Sequence, residues 1–247
     1  MSFFTWDHCY CEPATAENYK QAASDLIAVP PSIFAPKVAL EYDRRINASS
    51  NPQWVSGGRV SGLFFDAAGG AANPTEIKGG KPGYSLDGGD YIPCPSGMAS
   101  SLASHTFVFW TKITGATGQA YLFDSSSPAR FILFVRWPTD KAIIFSDNAT
   151  LWICGTFPSD SLYHFLALEV TGPAGTFRAF LDSDWAGAAV PHTNAGTFSG
   201  TMKLGSRYDG AANFTIGELG SFYHFERVIS KEELLYIRAN TRHRFGV

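Results

Sequence analysis

Charge is scarce in this sequence. Asp, Glu, Lys and Arg make up 17% of the 247 residues, against about 25% in an ordinary soluble domain, so less surface than usual is given to solvated charge. The 19 lysines and arginines do not cluster and the formal net charge is -3. Without a basic stripe there is no footprint for a phosphate backbone, and nucleic acid is excluded as the expected partner. Cysteine is nearly missing as well. Cys9, Cys11, Cys94 and Cys154 match neither a disulfide framework nor a paired C-x-x-C zinc site, so free or buried thiols are expected. No run approaches the roughly 18 apolar residues of a membrane span. The opening MSFFTWDHCYCEP holds Asp7, His8 and Glu12, with neither a basic start nor a long apolar stretch, and does not read as a secretory leader. A nucleophile elbow, a His-Glu-x-x-His run and a P-loop are all missing. The histidines, His8, His105, His164, His192, His224 and His243, show no ligand spacing, and no metal centre is expected.

What is present points to an all-β chain. Aromatics reach 15%, beside 24 glycines and 14 prolines, a composition suited to short strands joined by tight turns. The organising stretch is GKPGYSLDGGDYI (80–92) with the strand Thr106–Ile113 that follows. Period-two alternation places Phe107, Phe109, Thr111 and Ile113 on one face and Val108, Trp110 and Lys112 on the other. The same pattern groups Phe131, Leu133, Val135 and Trp137, then Leu166, Leu168 and Val170, then Phe177, Ala179 and Leu181. Tyr84–Pro93 is predicted as one strand ended by its prolines, and Asp124–Pro128, Thr139–Lys141, Gly172–Gly175 and Ser183–Gly187 as turns. Near the end, Ser230 and Glu233 are spaced as a capping box, with Ile229 and Leu234 as the hydrophobic staple of a helix over about 231–240.

Residues 1–58 differ from 59–247. Prolines punctuate them, and one helical pattern runs from Thr15 to Ala28 with Leu26 and Ile27 on its apolar stripe. Phe3, Phe4, Trp6, Leu26 and Ile27 are too many apolar groups for a disordered tail and too scattered for a separate core. They read as an extended arm that docks either on its own sandwich or on another subunit.

The order of LFFD (63–66), YSLDGGDYI (84–92), HTFVFWTKI (105–113), YHFLALEV (163–170), FRAFLDS (177–183), MKLGSR (202–207) and IGELGSFYHFERVISKEELLYI (216–237) resembles the laminin-G-like, concanavalin A-like jelly-roll superfamily, over about residues 60–240. The resemblance implies a two-sheet antiparallel jelly-roll sandwich, here with an N-terminal arm and a short C-terminal helix. It also implies a range of roles: sugar-binding lectins, glycan-degrading enzymes, adhesion modules and virion proteins of tailed phages. The β-glucanase branch uses Glu-x-Asp-x-x-Glu, alternate carboxylates projecting into one cleft. Glu41-Tyr-Asp43 begins like it, but Ile46 stands where the last Glu belongs.

For glycan binding, an aromatic platform beside directed polar groups is required. Trp185 in DSDWAG, and Tyr208, Asp209 and Asn213 in SRYDGAAN, are the candidates. Asp87 and Asp90 flank a tight turn, where a calcium shell and plain turn formation are both open readings. Three functions from different classes stand. The leading one is a non-enzymatic virion protein, in capsid decoration or tail-fibre attachment, whose arm docks through Phe3, Phe4, Trp6, Leu26 and Ile27 on other virion subunits. Its jelly roll would face host-surface glycans, and the expectations that go with it are no catalysis, no cofactor, no membrane insertion, and a homo-oligomer located in the virion, with the cytoplasm as the alternative. The other two are a free carbohydrate-binding lectin and a glycoside hydrolase.

Overall fold

The computed structural model describes residues 83–94, 98–127 and 130–247, preceded by four short strands: β1 (Val38–Glu41), β2 (Gln53–Ser56), β3 (Phe64–Asp66) and β4 (Thr75–Glu76). The candidates Phe3, Phe4, Trp6, Leu26 and Ile27, the Thr15–Ala28 helical pattern, Cys9 and Cys11 lie outside the described residues. The strands that follow are β5 (Tyr84–Asp87), β6 (Ile92–Pro93), β7 (His105–Thr117), β8 (Ala120–Ser127), β9 (Phe131–Val135) and β10 (Ala142–Ser146). Next come β11 (Leu151–Thr156), β12 (His164–Val170), β13 (Thr176–Leu181), β14 (Asp184–Trp185), β15 (Val190–Pro191), β16 (Ser199–Leu204) and β17 (Phe214–Phe225). One helix, α1 (Lys231–Thr241), follows them.

These strands form the two antiparallel sheets of a jelly-roll sandwich. The larger runs β14-β13-β12-β7-β17-β1-β2-β3 and the smaller β11-β10-β9-β8-β16-β6. Strand β17 is long enough to serve two neighbours on its far edge: β5 opposite Ile216–Leu219 and β1 opposite Ser221–His224. Strands β1 and β2, from the stretch read above as the arm, thus run in the larger sheet. At the bulge in β17, Gly217 has φ +150°, and a Cβ there would lie 2.0 Å from the Lys112 carbonyl oxygen. Only glycine fits that crossing of backbones.

Alternation decides which side chains fill the space between the sheets. Phe107 and Phe109 of β7, Phe131 and Leu133 of β9, and Leu166 and Leu168 of β12 join one buried cluster, as the period-two pattern predicts. The opposite face of the larger sheet is covered too. Val108, Trp110, Phe165, Phe180 and Tyr223 pack with Ile229, Leu234, Ile237 and Phe245 of the C-terminal segment. The helix starts where the capping box places it: Ser230 Oγ accepts from Glu233 N at 3.2 Å, and Ser230 N donates to Glu233 Oε2 at 2.9 Å. Ile229 and Leu234, the staple pair, are both buried in the same cluster. Among the described residues no helix is long and apolar enough to cross a membrane. Cys94 and Cys154 are free thiols, and burial pushes both well above the ordinary thiol range.

Three local expectations are corrected. Tyr84–Pro93 is two strands in different sheets, because Asp87 N donates to Asp90 Oδ2 (3.0 Å), Gly89 N donates to Asp87 Oδ1 (2.9 Å) and Gly88 takes φ +98°. That turn carries the chain from the larger sheet into the smaller. Trp137 lies in the β9–β10 turn instead of a strand, with the Lys141 ammonium 4.3 Å from its ring centroid. Asp124 and the serines after it belong to β8, not to a turn, since β8 pairs with β16 and β9 through this point.

A histidine clamp closes one end of the larger sheet. His164, at the start of β12, has Nδ1 2.8 Å from Asp182 Oδ2 and Nε2 2.9 Å from Asp160 Oδ1. A neutral imidazole donates from one nitrogen only, so both contacts donate only when the ring is protonated. Burial lowers the His164 pKa, but the hydrogen bonds to Asp182 and Asp160 outweigh it and the net direction is up. Both aspartates are shifted down; for Asp182 the bonds to His164 and Phe165 N overcome burial. The raised histidine contributes stability that is full below its unfolded pKa of about 6.5 and is lost as pH rises through the folded value. The depressed carboxylates contribute above about pH 4 and lose it as pH falls. Melting His164→Gln beside the parent across pH 4–9 is expected to show the largest deficit, on the order of 1–3 kcal/mol, near pH 5–6. A deficit that does not shrink by pH 8–9 contradicts the protonated clamp.

Candidate functional site

The polar centre of the smaller sheet is Asp124. It follows Leu122 and Phe123 in β8 and is fully buried, which is tolerable for a carboxylate only with a cation and hydrogen-bond donors. Arg130, just before β9, supplies both through a two-pronged contact: Nε to Oδ1 at 3.1 Å and Nη2 to Oδ2 at 2.7 Å. Tyr208 N donates to Asp124 Oδ2 at 3.0 Å. The remaining arm of the guanidinium donates to Asn148 Oδ1 at 2.5 Å. Burial pushes the Asp124 carboxyl up, and the bonds from Arg130 and Tyr208 offset only part of that rise.

The loop 206–213 between β16 and β17 is built over this pair. Its turn is drawn by Arg207 N donating to Ala212 O (3.0 Å) and Gly210 N donating to Arg207 O (2.8 Å). Arg207 grips Asp209 through Nε–Oδ1 at 2.8 Å and Nη2–Oδ2 at 2.5 Å, and Ala211 N also donates to Asp209 Oδ1 at 3.0 Å. Those contacts, the arginine first, pull the Asp209 carboxyl down to about 2. Asn213 takes φ +56° and accepts from Gln119 N at 3.3 Å. The Tyr208 ring centroid lies 5.1 Å from the Arg130 guanidinium carbon, a cation-on-ring contact that fixes the ring's orientation.

Of the residues picked from the sequence, Tyr208, Asp209 and Asn213 therefore share one loop. Trp185 is elsewhere. It lies on β14, at the edge of the larger sheet, edge-on to Phe180 with centroids 5.5 Å apart. The Arg178 guanidinium carbon is 3.5 Å from the Trp185 ring centroid, so one indole face is already occupied. Lys231 Nζ reaches Asp184 Oδ1 at 2.7 Å and ties this hairpin to α1. Asp87 and Asp90 bond to the backbone of their own turn, and burial raises the Asp90 carboxyl to about 6. Among the described residues no group of three or more His, Cys, Asp or Glu side chains converges as a metal site would need. Sequence reasoning missed Asp124, Arg130, Asn148 and Arg207. The available signal was slight: Asp124 closes the apolar run Tyr121–Phe123 with Arg130 six positions on, and only a strand carried through the serines would make that aspartate demand a counter-ion.

Solved structures share this architecture. The chain carries a lectin-like β-sandwich fold. Domain 4 of AbnA, a GH43 extracellular arabinanase from Geobacillus stearothermophilus, solved with arabinotriose, matches with TM-score 0.53 and 14% identity, over 83% of this chain and 99% of that one. A Trypanosoma rangeli sialidase matches with TM-score 0.58 and 11% identity, over 84% of this chain and 33% of its own. Botulinum neurotoxin type C, whose cell entry depends on interaction with two ganglioside molecules, matches with TM-score 0.57 and 10% identity, over 83% of this chain and 51% of its own. No protein-family model and no curated protein matches the sequence. At these identities the likeness shows the fold alone. It also corrects one expectation: with an arabinanase and a sialidase among the chains that carry this sandwich, the expectation that the protein is not an enzyme is withdrawn.

Proposed function

We propose that the protein binds carbohydrate, in the manner of a lectin, at the loop 206–213. The observation that carries this reading is the Tyr208 ring held over Arg130 with Asp209, Asn148 and Asn213 around it. A pyranose lays its C–H face on a ring of fixed orientation, while its hydroxyls need carboxylate, amide and guanidinium partners nearby. The arabinotriose bound in a structure of matching fold supports the same class of ligand. A glycan array on the full chain, followed by calorimetry on the hits, tests it. Tyr208→Ala is expected to weaken binding by tenfold or more, and Trp185→Ala to change it by less than threefold. An array silent for every glycan removes the reading, and the reverse order of the two variants moves the site to β14.

The narrower expectation, a virion attachment protein, is supported by the apolar, proline-punctuated N-terminal sequence and by no comparison with known structures. Light scattering on the same preparation tests it: a defined oligomer that dissociates when Phe3, Phe4 and Trp6 are all changed to Ser is the expected result. A monomeric parent contradicts it.

A further inference from the structure

We infer that the ligand of the loop 206–213 is an anionic sugar, whose carboxylate or sulfate is met by Lys203. This rests on the carbohydrate-binding reading above and adds the charge class of the ligand. Lys203 of β16 stands directly opposite Asp124 of β8 in the antiparallel register, so both side chains leave the same face of the smaller sheet. They are not an ion pair. The two oxygens of Asp124 are held by Arg130 and by Tyr208 N, and among the described residues Lys203 has no carboxylate partner.

The ammonium is nevertheless well enclosed. Lys203 is only 8% exposed, and its Nζ lies 3.6 Å from the Tyr91 ring centroid. The loop passes close by: a Cβ on Gly210, which takes φ +70°, would be 2.5 Å from Nζ and 2.7 Å from Tyr91 Cε1. A ring face attracts a cation but does not neutralise it, and an enclosed charge without a counter-ion is unfavourable.

The surrounding charges do not supply one. Arg130 is matched to Asp124 and Arg207 to Asp209, each through two contacts. Asp87 and Asp90, just before Tyr91, direct carboxylate oxygens to their own backbone. With Arg130 and Arg207 each paired to its own aspartate, the Lys203 ammonium is left, among the described residues, without a direct ion-pair partner. A neutral sugar satisfies the ring and the hydrogen-bonding groups and leaves that charge as it is. An anionic sugar stacked on Tyr208 also neutralises it, and the attraction is strengthened by the low-dielectric surroundings of a mostly buried side chain.

The test is calorimetry on the full-length protein with matched probes: a galactose trimer, a galacturonate trimer and a sulfated galactose trimer, with lactose beside sialyllactose. At low salt at least one acidic member is expected to bind tenfold or more tighter than its neutral partner, with the advantage shrinking as salt rises. Lys203→Met should abolish the advantage while leaving neutral-sugar affinity within about threefold, and Lys203→Arg should retain it. Preference for the carboxylated and sulfated trimers alike supports recognition of charge; preference for the carboxylated sugars alone supports a carboxylate-specific contact. Neutral sugars binding as well as acidic ones to the parent overturns the inference and leaves carbohydrate binding standing. Binding of none of the probes, with a silent glycan array, overturns both. If Lys203→Met fails to fold, the comparison of acidic and neutral probes on the parent decides by itself.

Discussion

Trp110→Ala is expected to lower the unfolding free energy by about 3–5 kcal/mol, and so to reduce Tm by roughly 6–20 °C for a chain of this size. Trp110 is fully buried on the face of β7 that points away from the inter-sheet core. Its ring lies 4.8 Å from Phe245 and 5.3 Å from Phe165, centroid to centroid, and Nε1 donates to Thr241 Oγ1 at 2.8 Å. Thr241 in turn donates to Ile237 O at 2.7 Å, so the indole grips the last turn of α1 as well as the aromatic after it. Truncation removes the ring and leaves a void under the helix. Trp110→Phe keeps much of the packing and loses the hydrogen bond, so its cost should be nearer 1–2 kcal/mol. Urea unfolding of the three proteins checks this, and a cost below about 1 kcal/mol for the alanine variant contradicts the docking of α1.

The second large effect belongs to Asp124. Asp124→Ala strips Arg130 of its carboxylate and Tyr208 N of its acceptor inside the smaller sheet, and breaking one side of such a pair costs about 3–5 kcal/mol. Removing both charges together is a different matter. The double change Asp124→Leu with Arg130→Met should recover most of that loss, because no unpaired charge stays behind. Chemical denaturation of the single and double variants measures the coupling, and additive losses would refute the account of a mutually dependent pair. Glycan binding supplies an independent readout: the double variant, even if stable, should bind poorly, since the cation under Tyr208 is gone.

These two residues also mark where the sequence is legible and where it is not. Trp110 is readable because strict alternation puts it on a face with Val108, and an aromatic there requires a cover. The capping box at Ser230 and the Ile229/Leu234 staple name that cover. Both signals are local, carried by spacings of two to five residues, and the observed α1 follows them closely. Asp124 is opaque for the opposite reason. Asp-Ser-Ser-Ser-Pro has the composition of a turn, and pairing on both sides, with Ile132 of β9 and with Lys203 of β16 far along the chain, holds it in a strand. The split of Tyr84–Pro93 has a similar cause, since Leu86 and Ile92 seek different sheets. Tyr208, Asp209 and Asn213 are visible as a polar loop with a ring in it. Their footing on Arg130, and the distance of Trp185 from them, are products of tertiary placement that no short window contains.

The place of β17 bears on how the chain is made. It lies between β7 on one side and β5 and β1 on the other, yet it is the last of the described strands to leave the ribosome. Until residues 214–225 emerge, β7 has one neighbour, β12, and neither β1 with β2 and β3 nor β5 with β4 has a link to it. The nascent larger sheet therefore exists as three separate pieces, β14-β13-β12-β7, β1-β2-β3 and β5-β4, with open apolar edges, the state in which strands recruit wrong partners. Completion is a single late insertion, closing contacts about a hundred residues apart in sequence, and α1, which follows at once, seals the face that insertion creates.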